Sequence, residues 1–236
     1  MSWTVVTGAS RGLGCLLVKE LIGAGHHVIG IARTPTEKWP MQSSDCFIQY
    51  QCDLTDESMV KRTFSEIRKS GRSISCLVNN AGIFSSNLLQ TSSSSHIKDV
   101  LNSNLLSTLL TTREVSKMMR LSGGGSVISI SSISASIRMP GNAIYGLSKV
   151  AMEELMRGFA TEFRGSGITF NSLRISFVEG TGMVDSLNME ARKIYEARLL
   201  EHNAVSVQEI HHAIQFFDSS LARSITGQVL SFGSPD

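Results

Sequence analysis

Short β-branched runs alternate with segments of helical spacing along the whole chain, and this alternation constrains the fold more than any other feature. Trp3–Thr7, His27–Ala32, Cys46–Gln51, Ser75–Val78, Ser126–Ser131, Ile168–Ile175 and Gln228–Phe232 read as strands. Leu13–Ala24 brings Leu16, Leu17, Glu20, Leu21 and Ala24 to one helical face, and Asp56–Lys69 does the same for Met59, Val60, Phe64 and Ile67. His96–Arg120, Tyr145–Arg164, Ala191–Glu201 and Val207–Ser219 read as further helices. Parallel strands need crossover connections of this length, and the helices then cover both faces of the sheet. The pattern predicts an α/β fold, a doubly wound parallel sheet of Rossmann type, as a single domain over 1–236. Pro35 and Pro40 exclude a full helix between the second and third strands. The polar run Ser92–Ser95 reads as a loop ending in a helix N-cap near His96.

Composition narrows the class. Hydrophobic residues make up 42%, enough for a sizeable core, while 18% charged residues argue against disorder. Twenty-two basic residues against 20 acidic ones, with no charged block, exclude nucleic acid as an expected partner. No apolar run approaches the ~20 residues that span a bilayer. The N-terminus enters a strand directly, without the pattern of a secretory leader. Cys15, Cys46, Cys52 and Cys76 form no CxxC pair, so reduced thiols and a cytoplasmic location are expected. No metal site is expected: His26-His27 and His211-His212 are sequence neighbours whose side chains diverge, and they read as surface residues.

The first strand runs into Thr7-Gly8-Ala9-Ser10-Arg11-Gly12-Leu13-Gly14, which opens the first helix. Gly8 suits the positive φ of a tight turn, Gly12 a close backbone approach to a pyrophosphate, and Gly14 close packing of helix on sheet. The helix N-terminus adds N–H donors and positive dipole density. Alone, three glycines fit any tight strand–helix corner; their place at the first βα junction makes the phosphate reading the stronger one.

The spacing Gly-xxx-Gly-x-Gly resembles the short-chain dehydrogenase/reductase family, and further residues carry the likeness. Asn79-Asn80-Ala81-Gly82 closes the fourth strand, Asp53-Leu54 follows the third, and Tyr145-Gly-Leu-Ser-Lys149 matches the YxxxK pair. Ser132 precedes Tyr145 by the family's usual thirteen residues, and Asn104 lies where the fourth catalytic residue is expected. The resemblance covers almost the whole chain. It implies a catalytic set of Asn104, Ser132, Tyr145 and Lys149. It implies cofactor contacts from Gly8, Ser10, Arg11, Gly12, Leu13, Gly14, Arg33, Asp53, Leu54, Asn80, Ala81, Gly82, Tyr145, Lys149 and Val178. Within it, Lys149 also holds the nicotinamide ribose, and Asn104 positions a water between Lys149 and solvent. Ser131 is the nearest rival for the serine role.

The chemistry agrees with the residue types. Tyr145 and Lys149, four apart on one helix, share a face. A phenol of pKa near 10 is lowered by a neighbouring ammonium and can pass a proton to a carbonyl oxygen as hydride arrives. A serine hydroxyl at a strand end can hydrogen-bond the developing alkoxide.

Cofactor choice turns on the end of the second strand. An acid there would accept the adenosine ribose hydroxyls and repel a 2′-phosphate. Ala32 occupies that place, Arg33 follows, and Arg11 lies in the glycine turn. Two guanidinium groups suit a 2′-phosphate, so NADP(H) is expected, the alternative being that Arg33 is a solvated loop residue.

Two segments depart from the family. The usual Asn-x-x-x-Pro-Gly becomes Asn171-Ser-Leu-Arg174-Ile175-Ser176, followed by Glu179-Gly180-Thr181-Gly182. Thr181 is the candidate to recover the nicotinamide contact, and Glu179 the candidate partner for Arg174. At the C-terminus, Gly233-Ser234-Pro235 replaces Asp-Gly-Gly. The resemblance implies a homo-oligomer, a tetramer first and a dimer second. A substrate lid is expected within 183–203, with Met183, Val184, Leu187 and Met189 on its apolar side. The nearest resemblance is to 3-oxoacyl-carrier-protein reductases and related carbonyl reductases. These often have Arg before Gly-Ile-Thr, where this chain has Ser166, with Arg164 two residues earlier. NADPH-dependent reduction of a 3-oxoacyl thioester or small ketone is expected; the alternative is a cofactor-sensing or scaffold protein of the same fold with weak turnover.

Overall fold

The computed structural model describes residues 2–34, 45–178, 180–181, 197–200 and 204–233. The elements run β1 (Ser2–Thr7), α1 (Gly12–Gly23), β2 (His27–Ala32), β3 (Phe47–Gln51), α2 (Glu57–Lys69), β4 (Ser73–Asn79), α3 (Ser94–Leu101), α4 (Ser107–Leu121), β5 (Gly125–Ser132), α5 (Ala143–Glu162), β6 (Ile168–Ile175), α6 (Val207–Asp218) and β7 (Val229–Ser231). The strands form one sheet in the order β3-β2-β1-β4-β5-β6-β7, and every neighbouring pair is parallel. The expected doubly wound sheet is thus present, with its order reversing between β1 and β4.

Successive strand residues point to opposite faces, and each face has its own core. Val6, Val28, Ile128 and Leu173 pack with Leu17, Val18 and Leu21 of α1 and Ile210, Ile214 and Phe217 of α6. Val5, Ile29, Leu77, Val127 and Phe170 pack with Val60, Phe64 and Ile67 of α2, Met119 of α4 and Met156 of α5. The central strands are buried on both sides, which suits apolar runs such as Val28–Ala32; β5 and β6 also bury polar side chains, and Ser129 and Asn171 among them are hydrogen-bonded.

The helix starts follow from short polar side chains. Asp56 caps α2 by accepting the N–H groups of Ser58 and Met59. Ser93 caps α3 by accepting from His96 N at 3.2 Å, as the serine run suggested. Ser206 and Glu209 form a reciprocal capping box on α6. The helix read as unbroken over His96–Arg120 contains a π turn at Asn102–Leu106. No Pro or Gly marks that turn, so composition gave no sign of it. Of the helix expected over Ala191–Glu201, only Ala197–Leu200 are described, and these are not helical. The lid residues Met183, Val184, Leu187 and Met189, and most of the link between β2 and β3, lie outside the described residues.

Arg174 pairs with Glu153 of α5, Nη2 to Oε2 at 2.9 Å. Glu179, its candidate partner by sequence, lies outside the described residues. The helix brings a carboxylate to β6 that is distant in sequence, so no local pattern could reveal it. One expectation is corrected. His211 is buried, not superficial, and its Nε2 has no hydrogen-bond partner. It falls on the inner face of α6, beside His26 at 6.5 Å between ring centroids. Its pKa is held below the usual histidine value, first by burial.

Candidate active site

The residues singled out in the sequence gather at the carboxyl ends of β1, β4 and β5, around the point where the strand order reverses. Open α/β sheets form a crevice there. Gly8 takes φ +68°, and a Cβ on it would stand 2.9 Å from Ala81 Cα. A Cβ on Gly14 would stand 2.3 Å from the Gly8 carbonyl oxygen and 2.5 Å from Asn80 Nδ2, so α1 approaches β1 and β4 more closely than any side chain permits. The Gly8 and Ala9 N–H groups donate to the Ile31 carbonyl, at 2.8 and 3.3 Å, which brings the turn against the end of β2. Among the described residues, the N-cap residue Arg11 gives α1 no side-chain cap, and no acid stands in the first turn. N–H donors left open in this way fit a bound pyrophosphate. Arg11, Ser10 and Leu13 belong to this turn, Arg11 exposed and the other two half-buried.

The rim of the crevice is assembled by Thr7, to which sequence reasoning gave no role. Its Oγ1 accepts the N–H groups of Asn80 and Ala81, each at 3.0 Å, while Asn80 Nδ2 donates to the Thr7 carbonyl at 3.0 Å. The glycine turn and the Asn80-Ala81-Gly82 loop are therefore one unit. Ala32 is buried at the end of β2, and Arg33 is exposed beside it. Leu54 is buried, and Asp53 Oδ1 accepts from the Thr55 N–H at 3.0 Å and hydroxyl at 2.7 Å. Val178 is buried and bridges Val205 in parallel. Thr181 donates to the Val178 carbonyl at 2.8 Å, and its own carbonyl oxygen lies 3.4 Å from where a Gly12 Cβ would stand. The segment after β6 thus returns to the glycine turn.

Tyr145 and Lys149 share the inner face of α5, both buried. Lys149 Nζ donates to the Ile130 carbonyl at 2.8 Å and lies 5.7 Å from the Tyr145 ring centroid. Burial lowers the Lys149 pKa from 10.5 to about 8, and Glu153 opposes the shift. Phe84 meets the Tyr145 ring edge-on at 5.2 Å. Ser132 closes β5, half-buried, and its Oγ accepts the Ser134 N–H at 3.2 Å. A hydroxyl that accepts there still has its own hydrogen to donate. Ser131, the rival serine, points the other way and donates to Glu153 Oε1 at 2.6 Å.

Asn104 sits in the π turn and is almost fully buried. Its Oδ1 accepts the Ile83 N–H at 2.8 Å, and its Nδ2 donates to the Ile83 carbonyl at 3.1 Å and to Ser148 Oγ at 3.0 Å. Ser148 in turn donates to the Tyr145 carbonyl at 2.7 Å. A Cβ on Gly82 would stand 2.9 Å from Asn104 Oδ1 and 3.9 Å from Lys149 Nζ, so the missing side chain is what lets these groups converge. The structure brings Asn104, Ser132, Tyr145 and Lys149 to one place beside the glycine turn.

Comparison with known proteins agrees with this geometry. The family model described as short chain dehydrogenase matches residues 2–192. The chain belongs to the short-chain dehydrogenase family. The family is one of oxidoreductases that use a nicotinamide cofactor. The chain is 30% identical to the 3-oxoacyl-[acyl-carrier-protein] reductase of Salmonella typhimurium over 230 residues, 96% of this chain and 93% of the relative. It is 28% identical to the reductase of that name from Staphylococcus aureus, over 96% of this chain and 94% of the relative. In fold it is similar to a 4-hydroxyisoleucine dehydrogenase complexed with NADH, with TM-score 0.90, 24% identity and coverage of 99% and 98% of the two chains. It is similarly close to a putative gluconate dehydrogenase from Agrobacterium tumefaciens, with TM-score 0.89, 24% identity and coverage of 98% and 94%.

Proposed function

We propose that this short-chain dehydrogenase is an NADPH-dependent reductase that converts a ketone to a secondary alcohol, and that Tyr145 is its proton donor. The observation that carries the reading is the convergence of Tyr145, Lys149, Ser132 and Asn104 beside an uncapped helix N-terminus. When bound, the nicotinamide supplies or accepts the hydride. Tyr145 gives its phenolic proton to the carbonyl oxygen, and Ser132 donates a hydrogen bond to the alkoxide as charge develops. The Lys149 ammonium lowers the cost of the phenolate that remains, and it would also hold the ribose hydroxyls. Asn104 holds the Ile83 backbone and the Ser148 hydroxyl, and through them the start of α5. The turn from Gly8 to Gly14 would take the pyrophosphate, with Asp53, Leu54, Asn80, Ala81, Gly82 and Val178 around the rest of the cofactor.

NADP(H) is favoured over NAD(H) because Ala32 offers no carboxylate and Arg33 and Arg11 stand exposed on either side of the contact between the turn and β2. A 3-oxoacyl thioester or a small ketone is the substrate class, supported by the relatives whose names carry that activity. The proposal extends over residues 1–236 as one domain, with the substrate lid within 183–203, acting as a homotetramer or a dimer. A cytoplasmic setting is supported by four cysteines that form no disulfide.

The test follows NADPH absorbance while 3-oxoacyl thioesters and small ketones are screened. Wild type should turn over at least one of them. Tyr145→Phe should retain cofactor affinity and lose ~10²–10⁴-fold in kcat. Activity within about twofold of wild type would remove Tyr145 from the proposed role. NADPH binding without turnover of any carbonyl would favour a cofactor-sensing protein instead.

A further inference from the structure

One charged assembly lies directly behind the Tyr145–Lys149 pair. Glu153 is 3% exposed and stands one helical turn beyond Lys149 on α5. Arg174 of β6 grips it through two bonds, Nε to Oε1 at 3.1 Å and Nη2 to Oε2 at 2.9 Å. Ser131 of β5 donates to Oε1 at 2.6 Å. One carboxylate therefore ties together the ends of two strands and the helix that carries Tyr145. Ser131 adjoins Ser132, and the Lys149 ammonium bonds the carbonyl of Ile130, the residue before Ser131. In register, Ser131 and Ser132 face Arg174 and Ile175.

A buried carboxylate is costly unless paired and hydrogen-bonded, and replacing such a pair by apolar side chains is often neutral for stability. Stability alone is therefore a weak reason for placing this pair one turn from the ammonium. We propose that Glu153 is a positioning residue for the Tyr145–Lys149 pair: anchored by Arg174 and Ser131, its negative charge keeps the buried Lys149 protonated in the working pH range. The proposal rests on the reductase reading, since it gives a purpose to that protonation.

Among the described residues, the surroundings of Lys149 leave this assignment to Glu153. Its own helix contributes Tyr145 and Glu153. From β5 come the Ile130 carbonyl and the hydroxyls of Ser131 and Ser132, and from the π turn the neutral amide of Asn104. Strand β6 contributes Arg174, which acts through Glu153. On α3, Lys98 and Asp99 are exposed, and His96 Nε2 is engaged with Ser85 at 2.7 Å and Asn87 at 3.0 Å. Glu153 is the charge that raises the Lys149 pKa against the effect of burial.

The experiment titrates the Lys149 ammonium in full-length, cofactor-free protein by NMR of ¹³C-lysine, the signal being assigned by its loss in Lys149→Met. Glu153→Gln keeps the shape and removes the charge; it should lower the Lys149 midpoint by about one pH unit. Glu153→Asp keeps the charge and alters the shape; it should leave the midpoint near that of wild type. The double variant Glu153→Met and Arg174→Met removes both charges of that pair and guards against misfolding of the single change. It should move the midpoint in the same direction by less. In turnover assays the alkaline limb of kcat/KM should move with the midpoint. Variants that fold and keep the wild-type midpoint, or a shift in Asp but not in Gln, overturn the proposal and leave a purely structural ion pair. The midpoint is read without substrate or cofactor, so it stands apart from any failure of the reductase reading, which would show as wild-type protein inert towards ketones.

Discussion

Lys149→Met tests whether the site stores the cost of a buried charge. The displacement of the Lys149 pKa from 10.5 to about 8 corresponds to ~3 kcal/mol, at about 1.4 kcal/mol per pH unit. The folded pKa lies below the unfolded one, so between about 8 and 10.5 the unfolded chain binds more protons. Wild-type stability from this group is complete above 10.5 and is lost as pH falls towards about 8; below that, the deficit is constant. Methionine removes the titration. It also leaves the Ile130 carbonyl without the ammonium, which costs ~1–3 kcal/mol independently of pH. At pH 7 the two terms oppose, and the variant should be within about 2 kcal/mol of wild type, while its reductase activity collapses. The decisive quantity is the difference in stability between the two proteins, measured by urea denaturation at half-unit steps from pH 7 to 10.5. Other lysines and tyrosines titrate in both proteins and cancel. The difference should shift by ~3 kcal/mol in favour of wild type across that window. A flat difference would refute the argument, because it would mean that Lys149 is not held against a desolvation cost.

Arg33→Ala should lower kcat/KM for NADPH by roughly 10–150-fold, nearer the lower figure because Arg33 is exposed, and barely change it for NADH. Ala32→Asp should also shift the preference from NADPH towards NADH, by repelling the 2′-phosphate and offering the ribose hydroxyls an acceptor, and an unchanged cofactor ratio in both variants would remove the strand end as selector. Asp218, at the end of α6, has its pKa raised from 3.8 to about 6 by burial, and its Oδ1 has no hydrogen-bond partner. Its raised folded pKa gives stability that is complete below about 4 and is lost as pH rises through about 6. Asp218→Asn should therefore stabilise the protein at pH 7.5 by ~1–2 kcal/mol, the figure being discounted for partial exposure, with no gain at pH 4. An equal gain at both pH values would contradict the titration. Gly14→Ala should cost ~1–3 kcal/mol in thermal stability and weaken cofactor binding, since its Cβ would fall 2.3 Å from the Gly8 carbonyl oxygen. Wild-type melting behaviour in that variant would show that α1 has room to move.

Much of this molecule was legible in the amino-acid order because the relevant signals are local. Runs such as Val5-Val6 and Val28–Ala32 are apolar because both faces of a central parallel strand are covered, and their alternation with helical segments implied the doubly wound sheet. Gly8 and Gly14 were readable because a tight turn and a close helix approach each demand the absence of a side chain within a few residues. The pairing of Tyr145 with Lys149 follows from helical spacing. Tertiary structure decided what depends on distant segments meeting. Thr7 joins the glycine turn to the loop after β4 across more than seventy residues, and its hydroxyl has no distinguishing context in sequence. Arg174 meets Glu153 because α5 lies across β5 and β6 and delivers a carboxylate one turn beyond Lys149, a partner that no local pattern indicates. The π turn that directs Asn104 towards Ile83 and Ser148 leaves no mark in residue type. His211 looked like half of a surface pair, and the rotation of α6 on the sheet buried it. Periodicity and glycine placement set the scaffold, while the charges and hydrogen bonds that tune the site arise only where the scaffold brings separate strands and helices into contact.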